Sequence, residues 1–248
     1  MGPSPFLSGV EWHRPWFAAW REAGERAAAA GASGLALAQA LNAQGGAPVR
    51  FVGPEALPEG HAYEAHIFAT RTCPTRENLH DFFNGLAWLA FPLAKSRLNE
   101  LQAQEIAKRG VGAARGPVRD AITVFDENGA LLQAPTPLWE ALLARDWHRL
   151  FVELRPLWSE ARLVVFGHAL LEKLAQPRKD LTAHVWVGNC PLSARVEADA
   201  WLAGQLQAAR LAAKPFTPLP VLGVPGWWPQ NAEVSFYDDP RVFRRPKS

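Results

Sequence analysis

The chain has 248 residues, of which 48% are hydrophobic and 20% charged, proportions typical of a globular protein with a sizeable core. Its net charge of +2 at pH 7 is too small to indicate a nucleic-acid-binding protein. The longest apolar run without a charge, residues 82–94, is shorter than the ~20 residues that a membrane-spanning helix needs. We therefore expect neither nucleic acid nor a membrane as a partner.

Cysteine usage and the N-terminus indicate a cytoplasmic protein. Cys73 and Cys190 have no CxxC partner and no regular spacing, so a reducing compartment is the expected environment. The N-terminus lacks a basic stretch followed by a long apolar one, which argues against a signal peptide. Nothing in the sequence indicates an oligomeric state.

The first predicted elements are helices over residues 12–30 and 34–42 and a short strand over residues 49–52. A loop rich in Pro and Gly follows at residues 53–60. Residues 63–70 alternate in character, and this period predicts a strand.

A long helical region is predicted from about Arg76 to Lys108, with a kink at Pro92. His80, Asn84, Lys95 and Asn99 fall within an arc of about 100° if the helix is continuous. A solvated helix face is normally rich in Glu, Lys and Arg, whereas this arc also contains Trp88 and Phe91. The stripe is therefore expected to face protein or a pocket, either as a binding site or as a hydrogen-bonded network in the core.

A β-hairpin is predicted next, with strands at residues 122–125 and 130–133 joined at Asn128-Gly129. Asn-Gly is a strong signal for a type I′ turn. The hairpin would present Asp126 near a preceding segment that holds Arg115, Arg119 and Asp120. Carboxylates beside a turn often serve the turn itself.

The later chain is predicted to contain helices at 138–145 and 147–157, a strand at 163–166, and a helix that begins after Gly167. His168 and Glu172 lie four residues apart on that helix and share one face. Such a pair can bind a metal, serve as an oriented base, or form a surface ion pair. A strand at 184–187 and a helix at 196–212 follow, and the Pro-rich tail from Lys214 is expected to pack onto the body because it holds several aromatic rings.

Short strands mixed with long helices, without regular βαβ alternation, predict an α+β fold. We expect a single domain over residues 1–248, made of N-terminal helices and a connector (1–60), a motif-bearing core (61–213) and a C-terminal wrap (214–248).

Several segments together resemble one proteobacterial family of uncharacterised proteins, a domain of unknown function. The matching motifs are HDFFN at residues 80–84, RGPVRDAITVFDENG at 115–129, FGHALLE at 166–172 and FYDDPRVFR at 236–244. The resemblance implies no activity, since none is known for the family.

The sequence leads to two hypotheses about function. The first is a hydrolase that acts on a small anionic molecule with a divalent metal or an acid–base pair. Its catalytic candidates are His80, Asp120, His168 and Glu172, its substrate-binding candidates are Asn84, Lys95, Asn99, Arg115 and Arg119, and its metal-ligand candidates are His80, Asp81, Asp126 and His168. The second hypothesis is a non-catalytic binding or interaction protein in which the same polar residues form a structural network.

Overall fold

The computed structural model describes Leu7, residues 9–110 and residues 116–244. Within these residues helices dominate and the strands are short, which confirms the predicted α+β class. The α-helices are α1 (Arg21–Ala32), α2 (Leu37–Asn42), α3 (Tyr63–Thr70), α4 (Leu79–Ala90), α5 (Pro92–Arg109), α6 (Gly116–Asn128), α7 (Thr136–Ala144), α8 (His168–Leu174), α9 (Arg195–Gln205) and α10 (Ala208–Ala212). The strands are β1 (Arg50–Val52), β2 (Thr72–Pro74), β3 (Gly129–Gln133), β4 (Arg162–Val165), β5 (Thr182–Trp186) and β6 (Phe216–Pro220).

The strands form two small sheets. In the larger sheet the order is β4-β3-β5-β6, with β3 antiparallel to β4, parallel to β5, and β5 antiparallel to β6. In the smaller sheet β1 and β2 pair in parallel. The central strand β3 is buried along most of its length, as expected for a strand covered on both faces.

The predicted strand over Tyr63–Thr70 is wrong, because these residues form α3. Tyr63 and Ile67 are one helical turn apart, and both line the cavity described below. The alternation in the sequence was thus compatible with a helix whose buried side contains residues at i and i+4.

The predicted hairpin at Asn128-Gly129 is also wrong, because α6 continues through Asn128 and β3 begins at Gly129. Val118, Ile122 and Phe125 are buried at helical spacing along α6. Gly129 is not among the glycines with positive φ, so it does not form a type I′ turn. A Cβ at Gly129 would lie 2.4 Å from the carbonyl oxygen of Phe125, which shows that close packing is the reason for glycine here.

The long helical region is interrupted at Phe91, which ends α4, and Pro92 begins α5. The first turn of α5 receives its cap from a distant helix. Asp199 of α9 accepts hydrogen bonds from the backbone N–H groups of Leu93 (2.9 Å) and Ala94 (2.8 Å). This buried carboxylate fixes the direction in which α5 leaves the break.

Two further helices are divided differently from the prediction. In place of the helix predicted over residues 147–157, the chain forms a π-helical turn at Arg149–Glu153 and a 3₁₀ helix at Arg155–Glu160. The helix expected over residues 196–212 is split into α9 and α10.

The C-terminal segment packs onto the body, as predicted. Its first part supplies β6, and Val221, Leu222, Tyr237 and Phe243 are buried. The Tyr237 hydroxyl donates to the Gly223 carbonyl at 3.0 Å. No helix among the described residues is both long enough and apolar enough to cross a lipid bilayer.

Candidate functional site

A cavity of about 420 Å³ lies between α3, α4, α5, α6 and the start of α8. Its size is in the range of pockets that hold small molecules. Its lining combines apolar and ionisable side chains: Pro54, Leu57, Ala62, Tyr63, Glu64, Ile67, Pro74, Arg76, His80, Asp81, Asn84, Trp88, Lys95, Leu98, Asn99, Gln102, Ile106, Arg119, Ile122, Thr123, Asp126, Glu127 and His168.

Two histidines from distant parts of the chain meet at this cavity. The Nε2 atoms of His80 on α4 and His168 on α8 lie 3.1 Å apart. Glu172, one turn after His168, lies with its Oε2 3.0 Å from Nδ1 of His80. The side chains of His80 and Glu172 are 35% and 39% exposed, whereas His168 is buried.

The hydrogen bonds determine how protons are arranged in the neutral pair. Glu172 accepts from Nδ1–H of His80, so Nε2 of His80 carries the lone pair and accepts from Nε2–H of His168. His168 Nδ1 is then unprotonated, and it has no hydrogen-bond partner among the described residues. Burial lowers the pKa of His168 to about 4, against the opposing effect of Asp126, so the ring is neutral at pH 7.

A buried ion pair lies beside His168. Lys95 Nζ donates to both carboxylate oxygens of Asp126, at 2.6 and 2.8 Å, and to Oδ1 of Asn84 at 2.9 Å. Burial alone would raise the pKa of Asp126, but Lys95 and His168 outweigh it and the net shift is downward. Asp126 Oδ2 is 3.8 Å from His168 Nδ1, close enough to stabilise a positive charge on that ring.

Helix α3 contributes site residues that the sequence analysis missed, because it assigned this segment to a strand. The Tyr63 hydroxyl accepts from Asn84 Nδ2 at 3.3 Å and contacts Cys73 Sγ at 3.2 Å. Asn99 Nδ2 donates to Glu64 Oε2 at 2.8 Å. Burial and the nearby Asp126 raise the pKa of Glu64 against Lys95 and Asn99, and burial raises the pKa of the Cys73 thiol to about 11.

Several polar atoms in the cavity lining have no hydrogen-bond partner in the part of the chain that the structure describes. They are Asn99 Oδ1, Gln102 Oε1, Arg119 Nε and His168 Nδ1. Buried polar groups in folded proteins are nearly always paired. Within residues 9–110 and 116–244, the guanidinium of Arg119 makes one long hydrogen bond, from Nη1 to the Gly110 carbonyl at 3.5 Å, and pairs with no carboxylate.

Most of the predicted site residues converge on this cavity. His80, Asn84, Lys95 and Asn99 all line it, which confirms that the polar stripe faces a pocket. The prediction assumed a continuous helix, whereas the polar residues lie on both sides of the break at Phe91. Phe91 itself was expected within the polar arc, but its ring is buried in the hydrophobic core.

The structure places three of the predicted site residues in other surroundings than expected. Asp120 is exposed on α6 and does not line the cavity, and Asp126 on the same helix is the carboxylate beside His168. Glu172 contacts His80, and not the His168 of its own helix. Asp81 is bound by Arg76 through Nη2 at 2.9 Å and Nε at 3.0 Å. Arg115 lies outside the described residues.

The described side chains do not fit the proposed set of metal ligands. His80 and His168 converge through Nε2, but Asp81 and Asp126 are committed to Arg76 and Lys95. No group of three or more His, Cys, Asp or Glu in the described part of the chain is arranged to hold a metal ion.

Comparison with known proteins identifies the family. A family model described as "Protein of unknown function (DUF3025)" matches residues 49–247. This covers most of the chain, and the protein therefore belongs to that family. No curated protein and no solved structure matches the chain.

Proposed function

We propose that this member of the DUF3025 family binds a small anionic molecule in the cavity and hydrolyses it by acid–base catalysis through His168 and His80. The observation that carries the proposal is the hydrogen-bonded series Glu172–His80–His168, which ends in a histidine that lines the cavity. Its buried Nδ1 has no hydrogen-bond partner among the described residues. A carboxylate behind a histidine is a common means of fixing its tautomer and orientation.

The proposed base is Nδ1 of His168. When this atom takes a proton, the charge on the imidazole is stabilised by Asp126 at 3.8 Å and shared with His80 through the Nε2 contact. Burial keeps the pKa of His168 at about 4, and Asp126 acts against burial by favouring the protonated ring. The effect of Asp126 is in the direction that a general base needs, since such a base works best with a pKa near the working pH.

Hydrolysis is the proposed reaction class because it needs only water as the second reactant. His168 would remove a proton from the attacking water and return it to the leaving group. Burial raises the pKa of Glu64, and this residue is the second candidate for proton transfer in the same cavity. Two carboxyl groups with pKa values shifted in opposite directions, here Glu64 and Asp126, are typical of acid–base sites.

The second hypothesis, a structural network without catalysis, is favoured by one part of the site. Lys95, Asp126, Asn84 and Tyr63 form a connected series of hydrogen bonds. Such a network holds α3, α4, α5 and α6 together with no ligand required. It does not explain Arg119 or the two histidines, for which the proposal accounts.

The test is hydrolysis of a chromogenic panel of nitrophenyl esters that carry a free carboxylate, with His168→Ala, His80→Gln and Glu172→Gln variants. We expect the two histidine variants to lose about 10²–10⁴-fold in rate, the usual contribution of general acid–base catalysis. The matched control is the surface pair His148–Glu153, 3.2 Å apart and more than half exposed, whose His148→Gln and Glu153→Gln variants should keep full activity.

The pH profile of the rate separates catalysis from folding. In Glu172→Gln the profile should shift while the fold is retained, because the carboxylate that orients His80 is lost. Variants that fold normally and hydrolyse the panel at the wild-type rate would show that these residues are not catalytic. Activity that disappears with a chelator and returns with a divalent cation would replace the acid–base proposal by a metal-dependent one.

A further inference from the structure

The cavity has two chemically different ends, defined by the helices α5 and α6. Lys95 near the start of α5 contacts Asp126 near the end of α6, and Gly110 after α5 contacts Arg119 near the start of α6. The two helices are therefore antiparallel. We call the part formed by His80, Asp126 and His168 the histidine end, and the part formed by Gln102, Ile106 and Arg119 the arginine end.

The distance between the two ends follows from helix geometry. Arg119, Ile122, Thr123 and Asp126 all line the cavity and lie on one face of α6. Asp126 lies seven positions after Arg119, which corresponds to about 10 Å along the helix axis at 1.5 Å per residue. Between the ends, Leu98 and Ile122 supply apolar surface.

The charges that line the cavity leave the arginine end locally positive. Arg76 pairs with Asp81, and Lys95 pairs with Asp126. Among the described residues, Arg119 is the cation in the lining without a carboxylate partner. A buried guanidinium without a counter-charge is costly, and a ligand that supplies the charge repays that cost on binding.

The remaining carboxyl groups do not cancel this charge. Glu64 accepts a hydrogen bond from Asn99 and makes no ion pair with Arg119 among the described residues. Glu127 directly follows Asp126 and so belongs to the histidine end. The guanidinium fork of a single arginine matches a carboxylate, which carries one charge and accepts two parallel hydrogen bonds.

We infer that the ligand is an elongated monocarboxylate whose acid group binds Arg119, whose apolar body lies along Leu98 and Ile122, and whose reacting bond lies about 10 Å away at the histidine end. The inference rests on the proposed function only in placing a reacting bond at the histidine end. That the cavity binds an elongated carboxylate is inferred from the cavity itself, from Arg119 without a carboxylate partner among the described residues, and from the spacing along α6.

The test measures binding without turnover. Butyrate, hexanoate, octanoate and decanoate are titrated into the wild-type protein by calorimetry, beside the neutral alcohols of the same lengths. We expect the affinity of the carboxylates to rise with chain length until the chain fills the space between the two ends. The alcohols should bind at least tenfold more weakly, because they cannot form the charge-assisted hydrogen bonds to Arg119, which contribute roughly that factor.

Two variants of Arg119 test where the acid group binds. Arg119→Met retains the volume and removes the charge, so we expect a melting temperature no lower than that of the wild type and a loss of carboxylate affinity of about tenfold or more. Arg119→Lys retains the charge without the fork and should bind more weakly than the wild type. The control is Arg26→Gln, which removes an exposed arginine paired with Glu22 and should leave binding unchanged.

The outcomes separate this inference from the proposed function. Carboxylates that bind Arg119→Met as tightly as the wild type, or that fail to bind the wild type at millimolar concentration, overturn the inference even if a His80-dependent hydrolysis of neutral esters is found. Length-dependent binding that requires Arg119, in a protein that hydrolyses nothing, supports the inference and counts against the proposed function.

Discussion

His80 and His168 are separated by 88 residues in sequence, yet their Nε2 atoms lie 3.1 Å apart. The contact depends on the packing of α4 against α8 and places one half-exposed imidazole against one buried imidazole. Because the two rings share one hydrogen bond, the protonation of either ring affects the other.

Burial of His168 should make stability depend on pH between about 6.5 and 4. Its pKa falls from 6.5 in the unfolded chain to about 4 in the folded protein. In this interval the unfolded chain binds a proton that the folded protein does not. The free energy of unfolding is therefore highest above pH 6.5 and decreases as the pH falls towards 4. The total decrease due to His168 is about 3 kcal/mol.

The measurement is urea denaturation of the wild type and of His168→Gln across this interval. The difference in unfolding free energy should shrink as the pH falls. The raised pKa of Glu64 acts in the opposite direction, but it is present in both proteins and largely cancels. The exposed His148→Gln control should run parallel to the wild type, and parallel curves for His168→Gln would contradict the prediction.

Loss of Lys95 should be strongly destabilising, because it leaves the carboxylate of Asp126 buried without its partner. We expect Lys95→Met to lower the unfolding free energy by about 3–5 kcal/mol. Adding Asp126→Asn should restore much of that loss, since the uncompensated charge is then removed. The exposed pair Arg26–Glu22 offers the control, and Arg26→Met should cost no more than about 1 kcal/mol. Equal losses for the single and double variants would show that the charge is not the cause.

Gly167 should not tolerate a side chain. A Cβ there would lie 2.4 Å from the backbone nitrogen of Asn128 and from the carbonyl oxygen of Glu127, so the start of α8 and the end of α6 would have to separate. Gly167→Ala should cost roughly 1–3 kcal/mol, the usual cost of overpacking, and should widen the contact between His168 and Asp126. Differential scanning calorimetry checks the first effect.

The matched control for this substitution is Gly204→Ala on α9. Nothing lies within 4 Å of a Cβ at that position, so the change should stabilise the helix by about 0.5–1 kcal/mol. A Gly167→Ala protein as stable as Gly204→Ala would contradict the close packing of α6 and α8.

Asp199 should contribute to stability as the cap of a helix to which it does not belong. Its carboxylate accepts from the backbone of Leu93 and Ala94, so Asp199→Ala leaves two N–H groups unpaired at the start of α5. A loss of about 1–2 kcal/mol is expected in chemical denaturation. Glu197→Ala, on the same helix and exposed, should have little effect. Similar small losses in both variants would mean that the cap contributes nothing.

The sequence predicted which polar residues share one face better than it predicted the elements that carry them. His80, Asn84, Lys95 and Asn99 were expected on one face, and all four line the cavity. The helical period within each segment was enough for this, because the break at Phe91 changes the direction of the chain without turning the polar residues away from the cavity.

The errors arose where one short pattern had two structural explanations. Asn128-Gly129 is typical of a hairpin turn, but glycine is also required where two backbones or rings pack closely, as Gly129 does against Phe125. Only the spacing of Val118, Ile122 and Phe125 favoured a helix. The roles of Tyr63 and Glu64 depend on α3, and no local signal in the sequence identified that helix. Nor could the sequence show that Arg119 has no carboxylate partner among the described residues, because that depends on tertiary packing.

The exposure of Glu172 has a consequence for how the cavity communicates with bulk water. Its side chain is 39% exposed, while the other end of the hydrogen-bonded series, His168, is buried. Through His80, a proton gained at the cavity wall can pass along two hydrogen bonds of 3.1 and 3.0 Å and leave at the surface carboxylate. Deuterium can thus reach the buried imidazole by this relay while the helices around the cavity stay closed.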